Sequence, residues 1–161
     1  MKKIFKELYP YLIIIICVVL FRTFIATPIL VKGRSMYDTL KGNEMMILNK
    51  LAKIDRFDIV VVDEEEDDYI IKRVIAMPGE TIYCEDNVIY VNNKKISNKY
   101  AYGETEDFDK IKLKDNEYFV MGDNREISKD SRIIGPVKKN EIKGTTRFIL
   151  YPFNKIGFVK E

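Results

Sequence analysis

An apolar run near the N-terminus most constrains how this chain folds. Residues 8–21 are apolar apart from two tyrosines and a proline. As a helix, those roughly 14 residues would span only about 21 Å, short of a hydrocarbon core of about 30 Å. Continuation through Arg22 to Ala26 supplies the missing length, because Arg22 can extend its charged end to the membrane interface. We therefore predict a transmembrane anchor over residues 8–26, with residues 1–7 in front of it.

A cleaved secretory signal is the alternative interpretation of the same segment. Three lysines precede the apolar run, as in the basic region of such signals. A cleavage site of the small-x-small type should then follow. The chain offers Ala26 and Thr27 followed by Pro28, which is a poor site. The prediction is an uncleaved anchor, and the basic residues on both sides of the run do not decide its orientation.

The remaining residues, 27–161, predict a mainly β domain. Short runs rich in Ile, Val and Tyr alternate with Gly, Pro and Asn/Asp pairs that favour turns. Asp86-Asn87 and Asn92-Asn93 are predicted hairpin turns, and residues 98–109 an irregular loop. The predicted strands are 45–48, 58–62, 69–77, 81–84, 88–91, 118–121 and 147–151.

Composition excludes several functions. The net charge of +2 is carried by residues 1–7, with three lysines and one glutamate, so the rest of the chain is neutral and lacks the basic surface of a nucleic-acid binder. There is no histidine, and Cys17 and Cys84 lie on opposite sides of the predicted membrane boundary, so we expect neither a disulfide nor a metal site. No cofactor is expected. The six acids at 63–68 are predicted to form a solvated hairpin loop, since they lack the spacing of a calcium loop.

Two strings carry a serine and a lysine that can act together. Ser35 lies in residues 33–40 (GRSMYDTL), and Lys72 lies in residues 69–80 (YIIKRVIAMPGE). A serine hydroxyl needs a base to take its proton; the usual base, histidine, is absent, and a lysine can serve instead. The aliphatic neighbours of Lys72 would strip water from its ammonium group and lower its pKa. Arg73 should face the other side of the same strand, and arginine cannot act as a base.

A third string, residues 122–137 (GDNREISKDSRIIGPV), completes a pattern that resembles type I signal peptidases. These are membrane-bound Ser/Lys endopeptidases that remove signal peptides from exported proteins. The resemblance implies an antiparallel β-sheet catalytic domain behind one transmembrane helix. It also implies a cytoplasmic N-terminus, residues 1–7, and an extracytoplasmic catalytic domain at the bacterial cell membrane. Its partners would be preproteins bearing signal peptides, membrane lipid and the secretion translocon, with no nucleic acid.

The resemblance also assigns roles to residues. It makes Ser35 the nucleophile and Lys72 the general base, and it makes Ser128 the group that orients the lysine. The site would be braced by a salt bridge between Asp130 and Arg132. The backbone N–H of Ser35 is the expected oxyanion donor, and the position where some relatives carry a second donor, a hydroxyl, is occupied here by Gly33.

One departure from the family pattern is Asp38, which stands where proline is usual. A carboxylate there would raise the pKa of Lys72 if it came close, or it would point into water and change only the stiffness of the turn. Two other functions share parts of the pattern. A signal-peptidase-like protein dedicated to pilus assembly would have restricted or no proteolytic activity, and a self-cleaving repressor would carry a DNA-binding domain in place of the anchor.

Overall fold

The computed structural model of the protein describes residues 2–64 and 68–159. Its first element is a long helix, α1 (Lys2–Phe24). The stretch Glu7–Phe24 has a mean hydropathy of 1.8 and is long and apolar enough to cross a membrane. The helix ends at Phe24, and Ala26 already belongs to the first strand. Residues 8–24 of the predicted anchor are therefore helical.

Hydrogen bonds join the end of the helix directly to the sheet. The Lys50 ammonium donates to the carbonyl of Thr23 at 2.8 Å, and the Thr27 hydroxyl donates to the carbonyl of Arg22 at 2.8 Å. These donors satisfy carbonyls that a helix end otherwise leaves without partners. The catalytic domain predicted from the sequence therefore follows the helix without a flexible linker.

The part of the chain that follows contains, within the described residues, twelve strands in two antiparallel sheets, one short α-helix and two 3-10 helices. The strands are β1 (Ala26–Leu30), β2 (Met45–Asn49), β3 (Ile59–Asp63), β4 (Tyr69–Ala76), β5 (Thr81–Glu85), β6 (Val88–Val91), β7 (Lys94–Lys95), β8 (Phe108–Lys112), β9 (Glu117–Met121), β10 (Val137–Lys138), β11 (Ile142–Tyr151) and β12 (Gly157–Phe158), and the helix is α2 (Ser131–Ile134).

The larger sheet has the order β1-β2-β11-β3-β4-β9-β10, with β12 added against β11, and the smaller has the order β7-β6-β5-β8. Strands β3, β4 and β9 are buried over most of their lengths because they lie in the middle of the larger sheet. All seven predicted strands are present, and so is the mainly β fold. The two predicted turns close the β5–β6 and β6–β7 hairpins, with positive φ at Asp86, Asn87, Asn92 and Asn93 as such turns require.

Strand β4 places residue 72 at the centre of this fold. Lys72 pairs with Val60 of β3 and is flanked on its own strand by buried residues. A core cluster that includes Met36, Leu40, Ile59 and Ile71 holds the turn after β1 against the same sheet. The sheet therefore fixes both the strand that carries the lysine and the segment that carries the serine.

Candidate active site

Ser35 and Lys72 meet although 37 positions separate them. Ser35 lies in the turn region that follows β1, between Gly33 and the buried Met36. Its Oγ is 2.8 Å from the Nζ of Lys72, which is hydrogen-bond distance. A nucleophile and its base require this geometry.

The Lys72 amine lies in surroundings that favour its neutral form. The residue is 2% exposed, and burial lowers its pKa from 10.5 to about 8. The acids Asp130, Glu64 and Asp123 oppose this shift, because a negative charge nearby stabilises the ammonium form. The net effect is an amine that is partly neutral at a mildly alkaline pH.

Asp38 is not among the acids that raise the pKa of Lys72. It is exposed and lines a separate cavity together with Glu44. The acids that act most strongly on Lys72 are those named above. The structure therefore favours the interpretation in which Asp38 is a solvated residue of the turn.

Arg73 points away from Lys72, as strand alternation predicts, and it forms a buried ion pair of its own. Its guanidinium makes two hydrogen bonds to the carboxylate of Asp123, at 2.8 and 2.7 Å, and both residues are buried. It also bonds the carbonyl of Phe57 and lies 3.7 Å from the ring centre of Tyr100. Removing Arg73 would leave the buried carboxylate of Asp123 without its partner.

Gly122 brings the third string against the nucleophile. A Cβ at this position would lie 2.5 Å from the carbonyl oxygen of Ser35 and 2.2 Å from the hydroxyl of Ser128, so a side chain does not fit. Two residues later, the amide of Asn124 donates to the same Ser35 carbonyl at 3.0 Å. The third string therefore holds the backbone of the nucleophile in place.

The salt bridge predicted between Asp130 and Arg132 is present. The guanidinium makes two contacts with the carboxylate, at 2.9 and 3.0 Å, and the Asp130 side chain is fully buried. The amide of Gly122 donates to the same carboxylate at 2.9 Å. Burial alone would raise the pKa of Asp130, but these hydrogen bonds outweigh it and hold that pKa below its ordinary value. The buried charge connects Arg132 to the segment that touches Ser35.

Ser128 lies beside the pair without a hydrogen bond to Lys72. The residue is 4% exposed, and within the described part of the chain its hydroxyl has no partner at hydrogen-bond geometry. It lies near Asp130 and contributes to the lowered pKa of that carboxyl. The contact with Asp130 is looser than a hydrogen bond, because its geometry does not meet the criteria for one.

The backbone N–H of Ser35 is available to an oxyanion. Among the described residues it has no hydrogen-bond partner, whereas the Ser35 carbonyl is already taken by Asn124. Gly33 adopts a φ of 73°, in the left-handed region that glycine favours, and the space where its side chain would lie is open. Gly33 therefore supplies no side-chain donor, and the space beside it is free for a bound peptide.

Sequence reasoning missed the contribution of the loop at 98–109, whose last two residues belong to β8. Tyr102 pairs with the third string through two backbone bonds: its amide donates to Asp123 at 2.7 Å, and its carbonyl accepts from Arg125 at 2.9 Å. The Arg125 side chain also donates to the hydroxyl of Thr105 at 3.0 Å. The loop braces the third string from outside, and the aromatic residues in this polar stretch were the one available signal.

Other chemistry is disfavoured by the same structure. Burial raises the pKa of the Cys84 thiol to about 11, so it is a poor nucleophile. No group of metal-ligating side chains is found in the ranges 2–64 and 68–159. The described acids of the 63–68 loop, Asp63, Glu64 and Asp68, each pair with a lysine; residues 65–67 lie outside the described part.

A buried lysine beside a serine hydroxyl, on a mainly β domain behind an apolar helix, defines a class of serine peptidase without histidine. Comparison with known proteins agrees. Residues 4–151 match the model of the family described as signal peptidase, peptidase S26. The chain is 37% identical to signal peptidase I S of Bacillus subtilis, over 96% of this chain and 93% of that protein. It is 38% identical to a signal peptidase I of Bacillus amyloliquefaciens, over 92% of this chain and 89% of that protein.

A solved structure agrees as well. The crystal structure of a signal peptidase I from Enterococcus faecalis matches with a TM-score of 0.53 and 32% sequence identity, covering 58% of this chain and 97% of that one. The chain belongs to the S26 family of signal peptidases.

Proposed function

We propose that this protein is a membrane-anchored serine endopeptidase that removes signal peptides from exported preproteins, with Ser35 as nucleophile and Lys72 as general base. The 2.8 Å contact between Oγ and Nζ carries the assignment. The family match supports the reaction class. The intact pair supports proteolysis over a non-proteolytic role in pilus assembly.

The mechanism follows from the geometry of the pair. The neutral amine of Lys72 accepts the proton of the Ser35 hydroxyl as the oxygen attacks the carbonyl carbon of the scissile peptide bond. The free N–H of Ser35 donates to the oxyanion that forms. Lys72 then gives the proton to the leaving amine, and an acyl-enzyme remains. A water molecule, deprotonated by Lys72, hydrolyses the acyl-enzyme and releases the signal peptide.

Supporting residues hold this geometry. Asp130, Arg132 and Gly122 fix the third string against the backbone of Ser35. We assign to Ser128, whose buried hydroxyl has no hydrogen-bond partner among the described residues, the orientation of the Lys72 amine. Gly33 leaves room for the substrate backbone.

The anchor accounts for where the reaction occurs. We propose that α1 crosses the bacterial cell membrane with its N-terminus in the cytoplasm, and that residues 27–161 form the extracytoplasmic catalytic domain. Ser35 follows the end of the helix by 11 residues. Such a short connection keeps the site near membrane lipid, where a signal peptide emerges from the secretion translocon.

Cleavage of a preprotein by single variants tests the pair. Ser35→Ala and Lys72→Met should each reduce cleavage by more than a thousandfold, and the double variant should be no worse than either, because the two residues act as a unit. Lys94→Met is the matched control, since Lys94 is exposed on β7, the edge strand of the other sheet. Substantial turnover by Lys72→Met in a folded protein would contradict the assignment of the base.

A further inference from the structure

A cavity of about 900 Å³ opens beside the nucleophile and is large enough to hold several residues of a peptide. Arg34 and Tyr37, which flank Ser35 in the chain, line it, together with Asn124, whose amide holds the Ser35 carbonyl. The cavity therefore opens beside the segment that carries the nucleophile, although Ser35 itself does not line it. Neither the base nor the pairs that brace the site line it.

The position of the anchor indicates which part of the substrate enters this cavity. In the proposed function, α1 crosses the membrane from which the signal peptide emerges, and β1 continues directly from α1 toward the site. We infer that residues before the scissile bond arrive along β1. No residue of β1 lines the cavity, so the residues after the bond extend into it.

The walls of the cavity are apolar and basic. Tyr37 and Tyr102 meet edge to face, with ring centres 5.1 Å apart, and Ile127 is 60% exposed beside them. Arg34 and Lys41 are exposed cations on the same walls. Among the described residues neither cation has an ion-pair partner, and the lining contains no carboxylate. A bound acidic side chain would find two cations and no carboxylate among the residues that line the cavity.

We propose that this cavity is the subsite for the first residues of the mature protein, and that Arg34 and Lys41 give it a preference for an acidic residue among the first three after the scissile bond. This proposal rests on the proposed function. The tyrosines and Ile127 would contact the backbone and any apolar side chain of the same segment. The segment that occupies the cavity is the start of the mature protein, which leaves the enzyme as the free amine.

A set of matched peptides tests the preference, using the full-length protein in detergent. Three peptides carry Glu, Gln or Lys at the second position after the bond, and a fourth carries the Glu two positions before it. We expect kcat/KM to fall in the order Glu, Gln, Lys. Each cation should contribute up to about fivefold to the Glu-to-Lys ratio, which is the upper range for exposed ion pairs. The ratio should shrink as salt is added.

Variants assign the effect to the cavity. Arg34→Gln and Lys41→Gln should each lower the Glu-to-Lys ratio severalfold, and the control Lys94→Gln should leave it at the wild-type value. A Glu-to-Lys ratio near one in the wild type would overturn the inference, and so would a ratio that stays at the wild-type value in both variants. The inference would also fail if the peptide with Glu before the bond were cleaved with as high a kcat/KM as the peptide with Glu after it. Cleavage of all four peptides without preference would leave the proposed function intact. If none of the four peptides were cleaved, both the proposed function and the inference would be overturned.

Discussion

Replacement of Lys72 by methionine should make the protein more stable while it abolishes activity. The pKa of Lys72 falls from 10.5 to about 8 on folding. With about 1.36 kcal/mol per unit, the buried ammonium costs roughly 3 kcal/mol at neutral pH. Methionine fills similar volume without a charge and loses the hydrogen bond to Ser35, which is worth about 1 kcal/mol. The net expectation is a gain of about 2 kcal/mol at about pH 7.

The pH dependence of this gain identifies its cause. The pKa of Lys72 is lower in the folded than in the unfolded protein, so the unfolded state binds more protons between pH 8 and 10.5. Wild-type stability therefore rises with pH across this window, and that of Lys72→Met lacks this contribution. The gap should shrink by about 2 kcal/mol between about pH 7 and about pH 9.5.

Denaturant unfolding in mild detergent, followed by circular dichroism, measures both quantities. Lys94→Met is the control, because Lys94 is exposed and its replacement should change stability little at either pH. A gap between Lys72→Met and wild type that is the same at both pH values would refute the reasoning. So would a Lys72→Met protein that is less stable than wild type at neutral pH.

Three other substitutions follow from the contacts around the site. Gly122→Ala should reduce kcat by at least tenfold, because the alanine methyl group would lie 2.5 Å from the carbonyl oxygen of Ser35 and displace the nucleophile. Steady-state kinetics that gave wild-type kcat and KM would contradict this. Arg73→Met should lower the free energy of unfolding by about 3 kcal/mol, because it leaves the buried Asp123 without its partner. Denaturant unfolding measures this, and a loss below about 1 kcal/mol would show that the pair is dispensable. Asp38→Asn should leave the acidic limb of the pH–rate profile in place, and a shift of that limb to lower pH would restore the view that Asp38 acts on the base.

Local sequence patterns were sufficient for most of the larger sheet. β3 is aliphatic up to Asp63, and β4 is rich in Ile and Val on both sides of Lys72 and Arg73, so both strands were evident from residue type. β1 was missed because its residues continue the apolar anchor and include Pro28, and β8 (Phe108–Lys112) because three of its five residues are charged. In both, pairing with a neighbouring strand overrides weak local preference.

The candidate site divides in the same way. Ser35 and Lys72 could be predicted because their strings are distinctive and because the absence of histidine limits the choice of base. The pairing of Arg73 with Asp123 could not be predicted, because the partners are 50 residues apart and an arginine on a strand is usually exposed. The bracing by the loop at 98–109 was hidden for a similar reason: it depends on backbone bonds, which any residue type can make.

The pH dependence of kcat/KM in two variants on either side of Lys72 tests the central claim most directly. Glu64 and Lys129 form an ion pair at the edge of the site, and they act on Lys72 in opposite directions: Glu64 raises its pKa and Lys129 lowers it. If Lys72 is the base, wild-type activity rises tenfold per pH unit up to about pH 8 and then levels off. Glu64→Gln should then move this limb to lower pH, and Lys129→Gln should move it to higher pH. A limb that stays in place in both variants, or that moves the same way in both, would show that the group being titrated is not Lys72.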